Sequence, residues 1–179
     1  GSHMVFRMEL KIKHPLSKKD VKEIIAQLSQ MFGEEIARKM LNKKDEVKVA
    51  EFDKTTEIIL VNDKPMFIRR KDLIFPLVIA LYNLSDEEDL RKWPRRVVVD
   101  EGAVPHILNG ADVMAPGIVD ADEGIKEGDF VFVVEEKYGR PLAIGIALMS
   151  GKVMKEKNRG KAVKVIHHAR DKIWEVTAR

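Results

Sequence analysis

Asn109-Gly110-Ala111-Asp112-Val113-Met114-Ala115-Pro116-Gly117-Ile118 is the stretch around which the rest of the sequence arranges itself. Just upstream, Asp100 is placed to cap a helix starting near Glu101-Gly102, and Pro105 is tolerated in the first turn, where its missing N–H has no helical partner to lose. Val104, Ile107 and Leu108 give that helix one apolar face, and Asn109-Gly110 ends it, because glycine takes the positive φ of a left-handed exit without strain. Pro116-Gly117 then fixes a sharp bend. Between the two turns, Ala111 to Ala115 carries small or slim side chains, so strands are expected over 111–114 and 118–119, presenting a surface that a partner's backbone can approach closely.

Working outward, 95–99 reads as a strand by its β-branched content, and 120–129 as a loop punctuated by Gly124 and Gly128. Residues 130–136 and 141–149 form a long hairpin across Lys137-Tyr138-Gly139-Arg140. After Ser150-Gly151 a short basic segment ends at Asn158-Arg159-Gly160, and strands over 162–167 and 172–176 follow. Short strands with turn signals roughly every eight to twelve residues predict a small closed or nearly closed β-barrel, plugged by one helix.

The amino-terminal half has a different rhythm. Phe6, Met8, Leu10 and Ile12 alternate with Arg7, Glu9, Lys11 and Lys13, the pattern of a half-buried strand. Ser17 with Asp20 three residues on marks a helix start, and Val21, Ile24, Ile25, Leu28 and Met31 fall at helical spacing up to Gly33. A second short helix, 34–41, buries Ile36, Ala37, Met40 and Leu41. Strands are expected at 47–52, 57–61 and 65–68, the last two joined by a tight turn at Asn62-Asp63-Lys64, and a helix after Pro76 carries Leu77, Val78, Ile79, Leu81 and Leu84. The fold class is α+β: a small α+β amino-terminal domain over 5–90 and a barrel over 94–179, parted at Asp86-Glu87-Glu88-Asp89 ahead of Trp93-Pro94.

Composition bounds the function. Gly1-Ser2-His3-Met4 reads as a protease-cleavage and cloning remnant, so His3 is not a ligand candidate. No run approaches the ~18 apolar residues of a membrane helix, and the basic start lacks the apolar core of a signal peptide, so a cytoplasmic protein with no membrane partner is expected. The chain has no cysteine, which removes thiolate nucleophiles and cysteine metal sites. Charged residues make up 34%, against a usual ~25%, which hints at a thermophile with surface ion-pair networks. Net charge is only +3, so its distribution matters more than the total: Lys152, Lys155, Lys157, Arg159, Lys161 and Lys164 stand against one acid, Glu156. Lys43-Lys44 and Arg69-Arg70-Lys71 are further places where phosphates could be gripped.

Catalysis finds no footing in the motifs. His167 and His168 are adjacent on a strand and point to opposite faces, His106 has no partner one turn on, and Asp120-Ala121-Asp122-Glu123-Gly124 lacks the rest of a calcium loop. No cofactor or metal is therefore expected. Taken from the residues alone, Gly110 and Gly117 serve equally well to cap a helix and bend a strand, and Met114 is more often core than a platform for a base.

The order of strand, capped helix, the 109–118 decapeptide, a Gly128-Asp129 turn, a long hairpin and Lys161-Ala162-Val163-Lys164-Val165 resembles a complete PUA domain, the RNA-binding module named after pseudouridine synthase and archaeosine transglycosylase. Lys43-Lys44-Asp45-Glu46-Val47-Lys48-Val49, Glu57-Ile58-Ile59-Leu60-Val61-Asn62, Phe75-Pro76, Trp93-Pro94, Met149-Ser150, His167 and Trp174 extend the likeness over most of the chain. They resemble the family that joins a pre-PUA domain to a PUA domain, typified by the malignant T-cell amplified sequence protein and the front of ligatin, here in an archaeal form.

The resemblance implies a non-catalytic monomer that binds the small ribosomal subunit, its rRNA and the tRNA acceptor end, with a density-regulated-protein-like partner in eukaryotes. The expected RNA-binding residues are Gly110, Ala111, Asp112, Met114, Ala115, Pro116, Gly117, Lys152, Lys155, Lys157, Arg159 and Lys161, with exposed N–H groups of the Gly110-Ala111 turn meeting phosphate or ribose. Lys43, Lys44, Arg69, Arg70 and Lys71 are expected to face the ribosome. Rival readings are an RNA-targeting accessory to a tRNA- or rRNA-modification enzyme, and a protein–protein adaptor.

Overall fold

The computed structural model describes residues 10–156 and 158–179; residues 1–9, with the start of the expected first strand, and Lys157 lie outside the described residues. The chain packs as two compact units, one of residues up to Pro76 together with Lys172–Arg179, the other Leu77–Asp171.

In the first unit, β1 (Lys11–Pro15) leads into α1 (Lys18–Phe32) and α2 (Glu34–Met40), followed by β2 (Val47–Glu51), β3 (Glu57–Val61), β4 (Lys64–Arg70) and β5 (Leu73–Pro76). Among the described residues these strands form one antiparallel sheet in chain order. Ser17 caps α1 by accepting the Asp20 N–H at 3.1 Å, and Val21, Ile24, Leu28 and Phe32 form its buried stripe. The Gln27 side chain accepts the Ile74 N–H and donates to the Asp72 carbonyl, which binds α1 to the β5 edge. Asn62 and Asp63 both have positive φ, 51° and 67°, as a tight two-residue hairpin requires.

Three features of this unit depart from the pattern-based expectation. Ile12 is 56% exposed and all of β1 lies open, because alternation reports which residues share a face, not whether that face is covered. The strand expected at 65–68 continues through Arg69 and Arg70 and turns at Lys71 (φ 54°) into β5, which the cationic run conceals. Both arginines find partners beside the sheet: Arg69 Nε pairs with Glu57 at 2.9 Å, and Arg70 Nε donates to Thr56 Oγ1 at 2.9 Å. Finally, 172–176 is not a strand but part of helix α6 (Lys172–Thr177), for Ile173 and Thr177, four apart, are the residues it buries. Local β-branched composition yields to tertiary packing there.

The second unit begins with α3 (Val78–Leu84), which packs on the later strand Pro141–Ala147; the acidic run after it is tied down within the same unit, Asp86 to Arg140 at 2.7 Å and Asp89 to Arg91 at 2.8 Å. Then come β6 (Arg96–Val99), a 3-10 turn at Glu101–Ala103, α4 (Val104–Leu108), β7 (Val113–Met114), a second 3-10 turn at Ala115–Gly117, β8 (Ile118–Ala121), β9 (Phe130–Glu135), β10 (Pro141–Ala147), α5 (Gly151–Glu156) and β11 (Lys161–His168). Among the described residues the strands order as β7-β11-β10-β9-β6-β8, a nearly closed barrel with β6 parallel to β9 and the other pairs antiparallel. Val97, Val99, Val131, Val133, Ala143 and Val163 fill it, and Ile107 of α4 is the plug, 1% exposed. The expected α+β architecture of small first domain and plugged barrel is therefore the one observed.

His167 is fully buried here. The Val78 N–H donates to its Nε2 (3.3 Å), which requires a lone pair there, so Nδ1 carries the proton and donates to Asp171 (2.8 Å). Close approach also fixes Gly145: a Cβ there would lie 2.2 Å from the Lys164 carbonyl oxygen, at the point where the β10–β11 register shifts. Gly145→Ala is expected to cost roughly 2 kcal/mol or more by forcing the two strands apart, read as a lower midpoint in denaturant unfolding.

Candidate nucleic-acid interface

The site grows from a helix that starts late and stops early. Asp100 Oδ1 accepts the Ala103 N–H at 3.0 Å and so fixes the 3-10 turn from which α4 departs, with Pro105 in its first turn. Five residues later the helix is over. Gly110 (φ +93°) donates to the Ile107 carbonyl at 2.9 Å and Ala111 to the His106 carbonyl at 3.0 Å, the paired bonds of a left-handed helix exit.

That cap overturns one expectation. The Gly110 and Ala111 N–H groups serve the helix C-terminus and do not face outward toward phosphate. What Gly110 contributes is shape: a side chain there would need a strained backbone, and its Cβ would stand 3.3 Å from His168 Nε2. The slim strand expected over 111–114 is likewise only two residues, β7, because Ala115–Gly117 coils at once into a 3-10 turn. The Asp100 N–H donates to the Gly117 carbonyl (2.9 Å) and the Ala115 N–H to the Gly160 carbonyl (2.8 Å), which locks this turn against both ends of the site. Gly117 is close-packed, with room for a Cβ only at 3.0 Å from that of Ala103.

Between α4, β7 and the second 3-10 turn lies an open groove of about 840 Å³. Ile107 and Val113 form its floor, Ala103, His106, Ala111, Met114 and Pro116 its walls, and Lys161 and Lys164 stand at its edge. It is apolar within and cationic at the rim, and Met114, 46% exposed, lies open in it and not in the core.

Of the residues singled out by sequence, Gly110, Ala111, Asp112, Met114, Pro116, Gly117 and Lys161 line this groove. Ala115 does not: it is 2% exposed and turned into the barrel core. Lys152 and Arg159 are exposed but do not line the groove, and Lys155, on α5, is held by Glu123 at 3.1 Å and Asp120 at 3.7 Å. Lys43 and Lys44 line a separate depression with Arg38 and Asp45, and Arg69 and Lys71 another with Asp53 and Glu57.

His106, Asp100 and Ala103 are groove residues that the sequence pattern did not assign, and Lys164, named there only within the cationic run, lines the groove as well. Strand parity sets Lys161 and Lys164, three apart, on opposite faces. A register shift between Lys161 and Val163, where β11 advances two residues against one of β7, returns both to the groove side.

Asp112 organises the rim. Its Oδ1 accepts the Val165 N–H at 3.0 Å and its Oδ2 lies 3.6 Å from both Lys161 and Lys164 Nζ. Burial pushes the carboxyl up, but the Val165 N–H and the Lys164 and Lys161 ammonium groups outweigh it and hold it below the usual carboxylate range. The group is ionised at neutral pH. Among the described residues no three histidines or carboxylates gather as metal ligands.

Comparison with known proteins agrees with this architecture. Residues 95–169 match the PUA domain and residues 6–84 the Pre-PUA-like domain. The chain is 47% identical to an uncharacterized protein of Methanocaldococcus jannaschii over 93% of its own length and 98% of that relative's. Translation machinery-associated protein 20 of Saccharomyces cerevisiae is 25% identical (79% and 78% covered), and human malignant T-cell-amplified sequence 2 is 27% identical (87% and 86% covered). Among solved structures, a conserved PUA domain protein from Thermoplasma acidophilum superposes with a TM-score of 0.71 at 33% identity, covering 92% of this chain and 98% of that one.

Two measurements check the site's construction. Gly110→Val is expected to lower stability by ~1–2 kcal/mol through the left-handed backbone alone, seen as a drop in Tm. Because the folded-state pKa of Asp112 is depressed, its stabilisation is present above the ordinary carboxylate pKa of about 4 and is lost as pH falls through the lower folded value. The Tm difference between wild type and Asp112→Asn should therefore be largest at neutral pH and shrink below about pH 4.

Proposed function

Because the chain belongs to the family that joins a pre-PUA domain to a PUA domain, alongside the malignant T-cell-amplified sequence proteins and translation machinery-associated protein 20, we propose that it is a cytoplasmic, non-catalytic RNA-binding translation factor. It docks on the small ribosomal subunit and takes the acceptor end of a tRNA through the barrel domain. The observation that carries this reading is the coincidence of an apolar slot with a paired-lysine rim at the 109–118 turn.

The chemistry of the slot suits an unstacked nucleotide. Ile107, Val113, Met114 and Pro116 offer apolar surface to a base, while Lys161 and Lys164 stand where the backbone of the same strand would pass. RNA is read best at single-stranded ends, whose bases are free of a duplex stack. An acceptor terminus is such an end. Lys152 and Arg159, exposed outside the groove, add longer-range attraction for the same strand, and Lys43, Lys44 and Lys71 are exposed on the first unit for contact with ribosomal RNA. His167 takes no part: both its ring nitrogens are committed inside the barrel domain.

The test is a binding series across salt. Lys161→Glu with Lys164→Glu should weaken binding of a single-stranded oligoribonucleotide, and of small subunits in a sedimentation assay, by roughly tenfold or more, and flatten the salt slope by about two. Lys155→Glu with Arg159→Glu, on the flank, should have a smaller effect. Binding that ignores both salt and the Lys161/Lys164 charge reversal would instead favour a protein adaptor.

A further inference from the structure

A groove that receives RNA has reason to avoid a carboxylate at its mouth, yet one stands where its two lysines converge. Asp100, the other acid lining the groove, has a structural role, since it caps the Ala103 N–H. Asp112 is different. One oxygen is fixed by the Val165 N–H at 3.0 Å, while the other faces Lys161 and Lys164 at 3.6 Å each.

The three groups differ in mobility. The Asp112 side chain is only 12% exposed and anchored to the β11 backbone, whereas the two lysine side chains are 63% and 64% exposed. Ion pairs of that length and exposure contribute little and exchange partners readily. Both lysines nonetheless reach a single point, and they do so only because the register shift at Lys161/Val163 brings them to one side of β11. The arrangement is an anion seated between two ammonium groups, and the anion is the protein's own.

We infer that Lys161, Lys164 and Asp112 form a phosphate subsite of the groove, in which the Asp112 carboxylate is a placeholder for a phosphodiester of the bound strand. The inference rests on the RNA-binding reading above and gives the groove a polar anchor point beside its apolar floor. In the free protein Asp112 gathers the two ammonium groups at the position a phosphate will take. On binding, the lysines turn to the incoming phosphate, and Asp112, unable to follow, repels it. Asp112 thereby holds affinity down and favours release.

The sign of the effect is what makes the idea testable, because a merely architectural aspartate would lower affinity when replaced. Asp112→Asn keeps an oxygen that can accept the Val165 N–H while removing the charge. Binding of a labelled single-stranded oligoribonucleotide with a free 3′-hydroxyl is followed by fluorescence anisotropy for wild type, Asp112→Asn, and Lys161→Gln with Lys164→Gln, with the melting curve of each recorded. Asp112→Asn should bind roughly three- to tenfold tighter at low salt, an advantage that fades as salt rises, and the lysine double variant should bind more weakly than wild type. Inorganic phosphate titrated into isotope-labelled protein should move the Val165 amide resonance at lower concentration in Asp112→Asn than in wild type. Equal or weaker oligonucleotide binding by an Asp112→Asn variant that is folded at the assay temperature, with the lysine variant still impaired, overturns the placeholder and leaves the RNA reading intact. An oligonucleotide that none of the three proteins holds overturns the RNA reading, and the subsite with it.

Discussion

The left-handed exit at Gly110 is the constraint from which the site follows. A helix of one turn and a little more leaves its last carbonyls short of partners, and here Ala111 and Gly110 donate to those of His106 and Ile107 because Gly110 accepts a φ of +93°. With the helix stopped there, Ile107 can remain in the barrel as its plug while the chain doubles back into β7. The groove is the space left between the stopped helix and the returning strand. A longer α4 would fill it, and a looser exit would let Val113 and Ala115 slip from the core that sets its floor.

Charge is handled by the same economy of structure. The sequence between Lys152 and Lys164 is rich in cations, but the fold sorts them by what lies opposite. Lys155, on α5, meets Glu123 and Asp120, and is screened by them. Lys161 and Lys164, on β11, meet a single nearly buried carboxylate and keep most of their surface in water. The first kind of contact steadies a surface, while the second leaves two cations available at the edge of an apolar slot. Likewise the Arg69-Arg70 pair, which a linear reading offers to phosphates, is engaged beside the sheet by Glu57 and Thr56. Arginine with a planar donor set and a partner in reach is as much a sheet component as a ligand for RNA.

The comparisons place these features in a setting that the residues alone left open. Translation machinery-associated protein 20 of Saccharomyces cerevisiae and human malignant T-cell-amplified sequence 2 align with this chain along most of their length, and a solved archaeal relative shares the fold. Where this chain's own geometry adds to that setting is in the division between shape-giving and ligand-facing residues within one short motif. Gly110 and Gly117 shape, Ala115 packs, and Met114, Ala111 and Pro116 face outward.

By itself the sequence determined whatever depends on local sterics and short-range bonding. The Asp100 and Ser17 caps, the positive φ at Gly110, the Asn62-Asp63 hairpin and the apolar stripe of α1 are all properties of a few adjacent residues, and all can be read in one dimension. The run of turns and short strands likewise indicated a plugged barrel behind a small α+β domain. Tertiary structure alone decided the rest. Residues 172–177 became a helix because burial of Ile173 and Thr177 outweighs β-branched propensity, and β5 appeared because β4 runs on through Arg69 and Arg70, a cationic end that no alternation announces and against which the next strand pairs. It alone turned Ala115 inward, closed the Gly110 and Ala111 donors into a cap, and brought Lys164 to the side of Lys161 through a register shift. Each of these turns on which distant groups come within a few ångströms of one another, a quantity that residue order constrains but that only the packed chain fixes.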